Sequence, residues 1–366
     1  MTIANIIEYL EKKAPLAYQE NYDNCGLITG SSSWNCTGVL ISLDATEAVV
    51  NEVIRKKCNL LVTHHPIIFK GLKKINGKNY VEQTIIAAIK NDIAIYAIHT
   101  NLDNVHNGVN GKMADILELV NRSALLPKPG TLKKLFTFVP LNKAEEVRNA
   151  IFSSGGGQIG NYSECSFNGE GTGSFKAGED THPYVGKEGE RHYEKEIKIE
   201  VIFPAFLEGK IVPAMKAAHP YEEVAFDIVD LANEHPGVGS GLVGELKETM
   251  DEYGFLQSLK SRFNLQLIRH TRLTGRPVKT IALCGGAGSF LINNALARKV
   301  DFFVTADLKY HEFFDANENM VIADIGHYES EQFTIDLIYE ILKVKFSNFA
   351  LLKTEVATNP VNYFLS

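Results

Sequence analysis

The chain has 366 residues, of which 45% are hydrophobic and 22% charged, and it carries a formal net charge of −7 at pH 7. That balance describes a globular chain with room for two or three domains. It excludes a disordered chain, a helical membrane protein, since no apolar run approaches the roughly 20 residues of a spanning helix, and a protein built to coat nucleic acid.

Taken from the beginning, Met1 to Lys13 holds Glu8 and Glu11 where a secretory signal needs an apolar core, so a cytoplasmic location is expected. The five cysteines, Cys25, Cys36, Cys58, Cys165 and Cys284, are odd in number and widely spaced without a CxxC pair. They support neither a disulfide framework nor a thiolate zinc site, and read as small buried hydrophobes. Thr2 can cap a helix over Ile3 to Lys12, with Ile3, Ile6, Ile7 and Leu10 on one face. The pattern then predicts a strand at Gly38 to Leu43, a helix at Thr46 to Lys57, a strand at Leu60 to Thr63, a helix at Tyr80 to Asn91, a strand at Ile93 to His99 and a helix at Gly108 to Val120. Strands separated by helices of this length imply a parallel sheet with right-handed crossovers.

Two of those strands end in runs that bear chemistry. Leu60-Leu61-Val62-Thr63 leads into His64-His65-Pro66, which delivers two imidazoles at a C-terminal strand tip, where open α/β sheets place their sites. Pro66 cannot donate to a ladder, so the strand should stop there. Neighbouring residues in a flat strand face opposite ways. Either the chain turns at Pro66 or the rings serve two neighbouring ions. An isolated pair of histidines is more often satisfied in the core or solvated than ligating. The next strand ends in His99-Thr100-Asn101-Leu102-Asp103 on the same rim. A carboxylate beside neutral imidazoles suits a divalent transition metal, although an aspartate in such a loop is more commonly an Asx-turn or a helix cap.

From about Pro127 the texture changes. Leu135 to Val139 (strand), Lys143 to Ser153 (helix), Ile197 to Phe203 (strand), Gly209 to Ala218 (helix) and Val224 to Val229 (strand) supply most of a ferredoxin-like β-α-β-β-α-β order, with one strand unplaced in the glycine-rich stretch. Gly169-Glu170-Gly171-Thr172-Gly173-Ser174 lacks the lysine of a phosphate loop and opens no helix, so a turn or flexible loop is expected. His219-Pro220-Tyr221-Glu222-Glu223 reads as a helix stop before Pro220.

The α/β texture resumes near Gly237, with a helix at Asp251 to Phe263, a strand at Thr280 to Cys284, a helix at Ser289 to Lys299 and strands at Phe302 to Thr305 and Val321 to Asp324. Gly285-Gly286-Ala287-Gly288 is a weak match to a phosphate turn, because tight strand-to-helix packing also calls for glycine. The strand ending at Thr305 has a polar tip that includes Asp307. Asp324-Ile325-Gly326-His327-Tyr328-Glu329-Ser330-Glu331 enters an apolar helix, and His327 and Glu331, four apart, project from one face. Glu331 could equally serve the positive end of that helix. Together His64, His65, Asp103, His327 and Glu331 make three imidazoles and two carboxylates at element tips. One catalytic zinc takes three protein ligands. Five suit two ions sharing a carboxylate or water, about 3.5 to 4 Å apart.

The ordered set Asp23-Asn24-Cys25-Gly26-Leu27, Thr63-His64-His65-Pro66, His99-Thr100-Asn101-Leu102-Asp103 and Gly326-His327-Tyr328-Glu329-Ser330-Glu331 resembles the GTP cyclohydrolase 1 type 2 homologue family, also called the NGG-interacting-factor-three-like family. Cys25 stands where that family more usually has an apolar residue. The resemblance implies an α/β fold whose two halves, residues 1–126 and 235–366, form one metal-binding domain. A ferredoxin-like, PII/CutA-like α+β insert over residues 127–234 would interrupt it. Gly171-Thr172-Gly173-Ser174-Phe175 and His219-Pro220-Tyr221-Glu222-Glu223 match runs typical of that insert. The resemblance also implies two divalent ions per chain (zinc, iron or manganese) on His64, His65, Asp103, His327 and Glu331, and a hexameric toroid of identical chains. The family name implies a cyclohydrolase: water activated by the metals opens the guanine ring of GTP at C8 and formate leaves, with His99 as the candidate proton shuttle. Lys70, Lys73, Lys74 and Lys309 flank the ligand tips and are candidates to meet a triphosphate. A metal-dependent phosphoesterase and a non-catalytic metal-binding ring with a small-molecule-sensing insert are the alternatives.

Overall fold

The computed structural model describes residues 1–364. In chain order the first elements are α1 (Ile3–Lys13), β1 (Gly26–Thr29), β2 (Val39–Ser42), α2 (Glu47–Arg55), β3 (Leu60–Thr63), α3 (Tyr80–Lys90), β4 (Ala94–Ala97), α4 (Thr100–Asp103), α5 (Val109–Ile116) and β5 (Val120–Pro127). There follow β6 (Leu132–Pro140), α6 (Ala144–Ser153), β7 (Phe167–Lys176), β8 (Arg191–Pro204), α7 (Glu208–Ala218) and β9 (Phe226–Asp230). The last are β10 (Gly239–Met250), α8 (Glu252–Arg262), β11 (Arg269–His270), β12 (Val278–Ala287), α9 (Ile292–Ala297), β13 (Phe302–Ala306), β14 (Val321–Asp324), α10 (His327–Glu331), α11 (Thr334–Lys345) and β15 (Leu351–Lys353). No helix of the described residues is long and apolar enough to cross a membrane, and all five cysteines are free.

The chain divides into two compact units: the residues up to Pro127 together with those from Gly237 onward, and Lys128–Pro236. The first unit holds two sheets. One runs β1-β4-β3-β2-β15, with β4, β3, β2 and β15 parallel and β1 antiparallel at its edge. The other runs β11-β14-β13-β12-β10-β5, parallel from β12 to β14 and antiparallel elsewhere. All four residues of β2, β3, β4 and β14 are buried, as apolar runs in sheets covered on both faces should be. The strands trade places across the sequence. β15, from the end of the chain, extends the first sheet beside β2, and β5, from its first third, edges the second beside β10.

Five strands of this unit, β1, β5, β10, β11 and β15, have no counterpart in the sequence pattern, and each is joined to a distant part of the chain. β5 also corrects a boundary. The helix expected to reach Val120 stops at Ile116, because Glu118 takes the left-handed conformation (φ 56°), which no helix can continue through, and Val120 already belongs to β5.

The second unit has the order β6-α6-β7-β8-α7-β9 and one antiparallel sheet, β7-β8-β6-β9. Leu135, Val139, Ile199, Val201 and Phe203 of the sheet pack with Val147, Ile151, Ile211 and Met215 of the two helices in one buried cluster. The glycine run is not a loop. Residues 169 to 174 lie within β7, paired in unbroken register from Phe167↔Glu200 to Lys176↔Arg191. The backbone ladder offered by the 14-residue β8 overrides poor strand propensity, since ladder hydrogen bonds need no side chain.

Candidate metal centre

Within the first unit, polar strand tips from both sheets converge. β3 ends at Thr63, and the Thr63 hydroxyl donates to the His65 carbonyl (2.8 Å) where the chain bends at the two histidines. Freed from strand alternation, the rings of His64 and His65 lie 4.9 Å apart. β4 leads through His99 into the short α4, which carries Asp103 at its end. β14 leads through Gly326 (φ 92°) into α10, with His327 and Glu331 one turn apart.

Each imidazole is held by one nitrogen and offers the other. Nδ1–H of His64 donates to the Ile98 carbonyl (2.9 Å), that of His65 to Asp44 (2.7 Å), that of His327 to Asp307 (2.6 Å) and that of His99 to Asp23 (2.8 Å). These oxygens can only accept, which fixes the tautomer and turns every Nε2 toward the cluster. The Glu331 carboxylate lies between them. Its Oε1 is 3.7 Å from His64 Nε2, while its Oε2 is 2.9 Å from His65 Nε2 and 3.1 Å from His327 Nε2. Asp103 Oδ1 is 3.6 Å from His64 Nε2. Two triads, His64/His65/His99 and His65/His327/Glu331, have their ligand atoms within 4.8 Å of one another.

His64 Nε2 and Asp103 Oδ1 are buried and lack a hydrogen-bond partner. A buried acceptor left unpaired is costly, and two of them converging with a shared carboxylate fit a cation. The electrostatics agree. Burial disfavours charge on His65, yet its hydrogen bonds to the Asp44 and Glu331 carboxylates outweigh it and push the ring up to about 9. His327 is likewise disfavoured by burial but pushed up to about 11 by Asp307 and Glu331. Burial works against ionised Glu331 too, and the surrounding imidazoles hold it well below the usual carboxylate range. Asp103 is raised, first by burial and also by the neighbouring Glu331 charge. Without a cation, protons occupy the places between imidazole and carboxylate.

Residues given no role in the sequence analysis complete the frame. Asp44, Asp307 and Asp23 anchor the rings. Asp23, half-buried, is kept low despite burial by His99, Cys25 and Thr100. Asp44 and Asp307 follow β2 and β13; the strand-tip rule already marks the tip that holds Asp307, and applied to β2 it finds Asp44. Gly285 and Gly286 prove to be packing glycines. Gly286 has φ 62°, and a Cβ there would stand 2.5 Å from Glu331 Oε1. The cleft above the cluster has a volume of about 640 Å3. Tyr22, Phe69, Phe290, Tyr328 and Tyr363 contribute aromatic surface to its wall. Lys70, Lys73, Lys74 and Lys309 do not line it. Among the described residues that do, Arg269 is the one Lys or Arg side chain, and it is paired with Asp324.

The class so defined is an α/β protein with a histidine–carboxylate cluster at converging strand tips, His64 and Glu331 buried at its centre. The chain belongs to the Duf34/NIF3 (NGG1p interacting factor 3) family, whose model matches residues 1–360. It is 37% identical to a GTP cyclohydrolase 1 type 2 homolog of Halalkalibacterium halodurans, covering 99% of this chain and all of that one. It is 38% identical to one of Bacillus subtilis, over 88% and 87% of the two chains. Among solved structures it is similar to a Bacillus cereus protein related to NIF3, with TM-score 0.86, 36% identity and coverage of 100% and 99%.

Proposed function

We propose that the chain binds two divalent metal ions through His64, His65, Asp103, His327 and Glu331, and that it is a metal-dependent hydrolase acting on GTP or a related nucleotide or base. The observation that carries this is the Glu331 carboxylate. One of its oxygens is directed at His64, with the unpaired Asp103 nearby, and the other at His65 and His327. Zinc, iron and manganese all suit three imidazoles and two carboxylates. When bound, such ions supply Lewis acidity and lower the pKa of water toward neutrality.

The chain's own residues account for the rest. Asp44 and Asp307 hold His65 and His327 in the ligating tautomer. His99, fixed by Asp23 with its ring 5.1 Å from that of His64, is placed to move a proton at its Nε2. The aromatic wall suits a planar ring better than the lining suits a triphosphate, since its cation is already paired. The residues up to Pro127 and from Gly237 onward would then be the metal-binding domain. The middle unit would be a ferredoxin-like insert, which its β-α-β-β-α-β order and antiparallel sheet support. A hexameric toroid is the assembly the family resemblance implies.

Elemental analysis, followed by formate release from GTP and from guanosine side by side, tests the reading in wild type and in His64→Ala/His65→Ala. About two ions per chain and histidine-dependent formate are expected. Metal without formate would remove the cyclohydrolase chemistry, and phosphate release in its place would redirect the site to phosphoesters. Separately, Asp44→Ala should weaken metal binding about 10- to 100-fold by releasing the His65 ring. Unchanged affinity in a calorimetric titration with zinc would show that Asp44 does not position that ligand.

A further inference from the structure

The sheet of the second unit has a face that its helices leave bare. On it β7 presents Gly169, Gly171, Gly173 and Phe175, directly across from Lys198, Glu196, Glu194 and His192 of β8. A Cβ at Gly169 or Gly171 would meet nothing within 4 Å, whereas one at Gly173 would collide with the Glu196 carboxylate. The glycines therefore open a trough and let Glu196 lie across the strand. The result is a cavity of about 700 Å3, within the size range of small-molecule sites.

Glu196 is only 8% exposed. Its Oε1 accepts the Tyr221 hydroxyl (2.8 Å). Tyr221 is itself fixed from behind, because its backbone N–H donates to His219 Nδ1 (3.1 Å), and His219 Nε2–H donates to the Phe138 carbonyl (3.0 Å). Burial keeps His219 neutral, as that tautomer requires. Phe175 and Tyr184 stand 6.1 and 6.3 Å from the Tyr221 ring, and Phe138 also lines the cavity. The His182 backbone N–H donates to Glu222 (3.0 Å), which ties the loop after β7 to the turn after α7. The lining holds four carboxylates and two lysines. One of those lysines, Lys198, is already engaged by Glu200 (2.9 Å) and lies over the Phe136 ring (4.5 Å).

We propose that this cavity is a binding site for a small organic cation, an alkyl- or arylammonium group held between the Phe175, Tyr184 and Tyr221 rings above the Glu196 carboxylate. Aromatic faces attract a poorly hydrated cation, and a buried carboxylate strengthens the attraction. A hydrated metal ion would find no imidazole in the lining, and the two fixed carboxylates, Glu196 and Glu222, already accept hydrogen bonds from Tyr221 and His182. An anionic ligand would meet a net negative lining. The two sequence runs that the metal centre leaves unused, Gly171 to Phe175 and His219 to Glu223, are the two that build the site.

The test is calorimetric titration of the full chain with choline and with benzyltrimethylammonium, using dimethylbutanol as the neutral isostere of choline. Saturable binding of at least one cation is expected, with none for dimethylbutanol. Glu196→Gln keeps an oxygen acceptor for Tyr221 and should weaken binding about tenfold or more. Gly171→Leu fills open space at a strand position and should abolish binding at unchanged Tm. The proposal is overturned if neither cation binds saturably, if dimethylbutanol binds as tightly as choline, or if both variants bind like wild type. None of these readouts depends on the metal centre or on turnover, so failure here and failure of the hydrolase reading are separable.

Discussion

Replacing Glu331 with Gln is expected to take the protein from the proposed two metal ions per chain to one or fewer, a larger loss than any other single substitution here should cause. The reason is that the carboxylate serves both ends of the cluster: one oxygen is directed at His64, and the other lies 2.9 and 3.1 Å from His65 and His327. An amide of the same shape offers one oxygen and, in place of the second, an NH2 group that can only donate. Whichever way it is turned, one ion loses a ligand and meets a donor. A fall of at least about a hundredfold in affinity follows, beyond the 10- to 100-fold typical of groups that merely support a ligand. The fold should survive, because Gln still fits beside Gly285 and Gly286 and still accepts one hydrogen bond from a protonated imidazole. Elemental analysis and a melting curve on the same sample separate the two effects. Two ions retained per chain in the variant would falsify the shared carboxylate.

The residues proposed as ligands stand out in the sequence for a physical reason. His64, His65, Asp103, His327 and Glu331 each sit where an apolar run breaks into Pro, Gly or polar residues, and strand tips are where parallel sheets expose side chains. Their partners were hidden because partnership is tertiary. Asp23 lies 76 residues before the His99 it orients, in a stretch without a period to read. Asp44 falls just before the Thr46 cap of α2 and resembles ordinary helix-start chemistry. Gly286 imitates a phosphate turn because both roles exploit the absence of Cβ. β7 was unreadable for a related reason: a strand whose side chains are removed to make a trough has no hydropathy alternation left to detect. β15 and β5 were missed because pairing between distant parts of the chain leaves no local mark.

Removing the metal should lower the melting temperature, and by more at high pH than at low. In the metal-free cluster His65 and His327 are raised above the ordinary histidine value, to about 9 and about 11. A group whose folded pKa is raised contributes stability in full below its unfolded pKa, about 6.5, and loses it as pH climbs through the folded value. The metal-free protein therefore weakens from about pH 6.5 upward. The metal-bound form changes in the opposite direction, since each ion must displace protons from the rings and meets fewer competitors as pH rises. At a free metal concentration a thousandfold above Kd, one site adds about 4 kcal/mol, or roughly 8–16 °C in Tm for a unit of this size. At pH 6, where protons hold the imidazoles against Glu331, Asp44 and Asp307, the difference between the two forms should be smallest. Paired melts with and without chelator at pH 6 and pH 8.5 read it directly. A gap that stays constant, or that narrows toward high pH, would mean that protons and metal do not compete for the same nitrogens, and the ligand set would have to be redrawn around His64, Asp103 and His99.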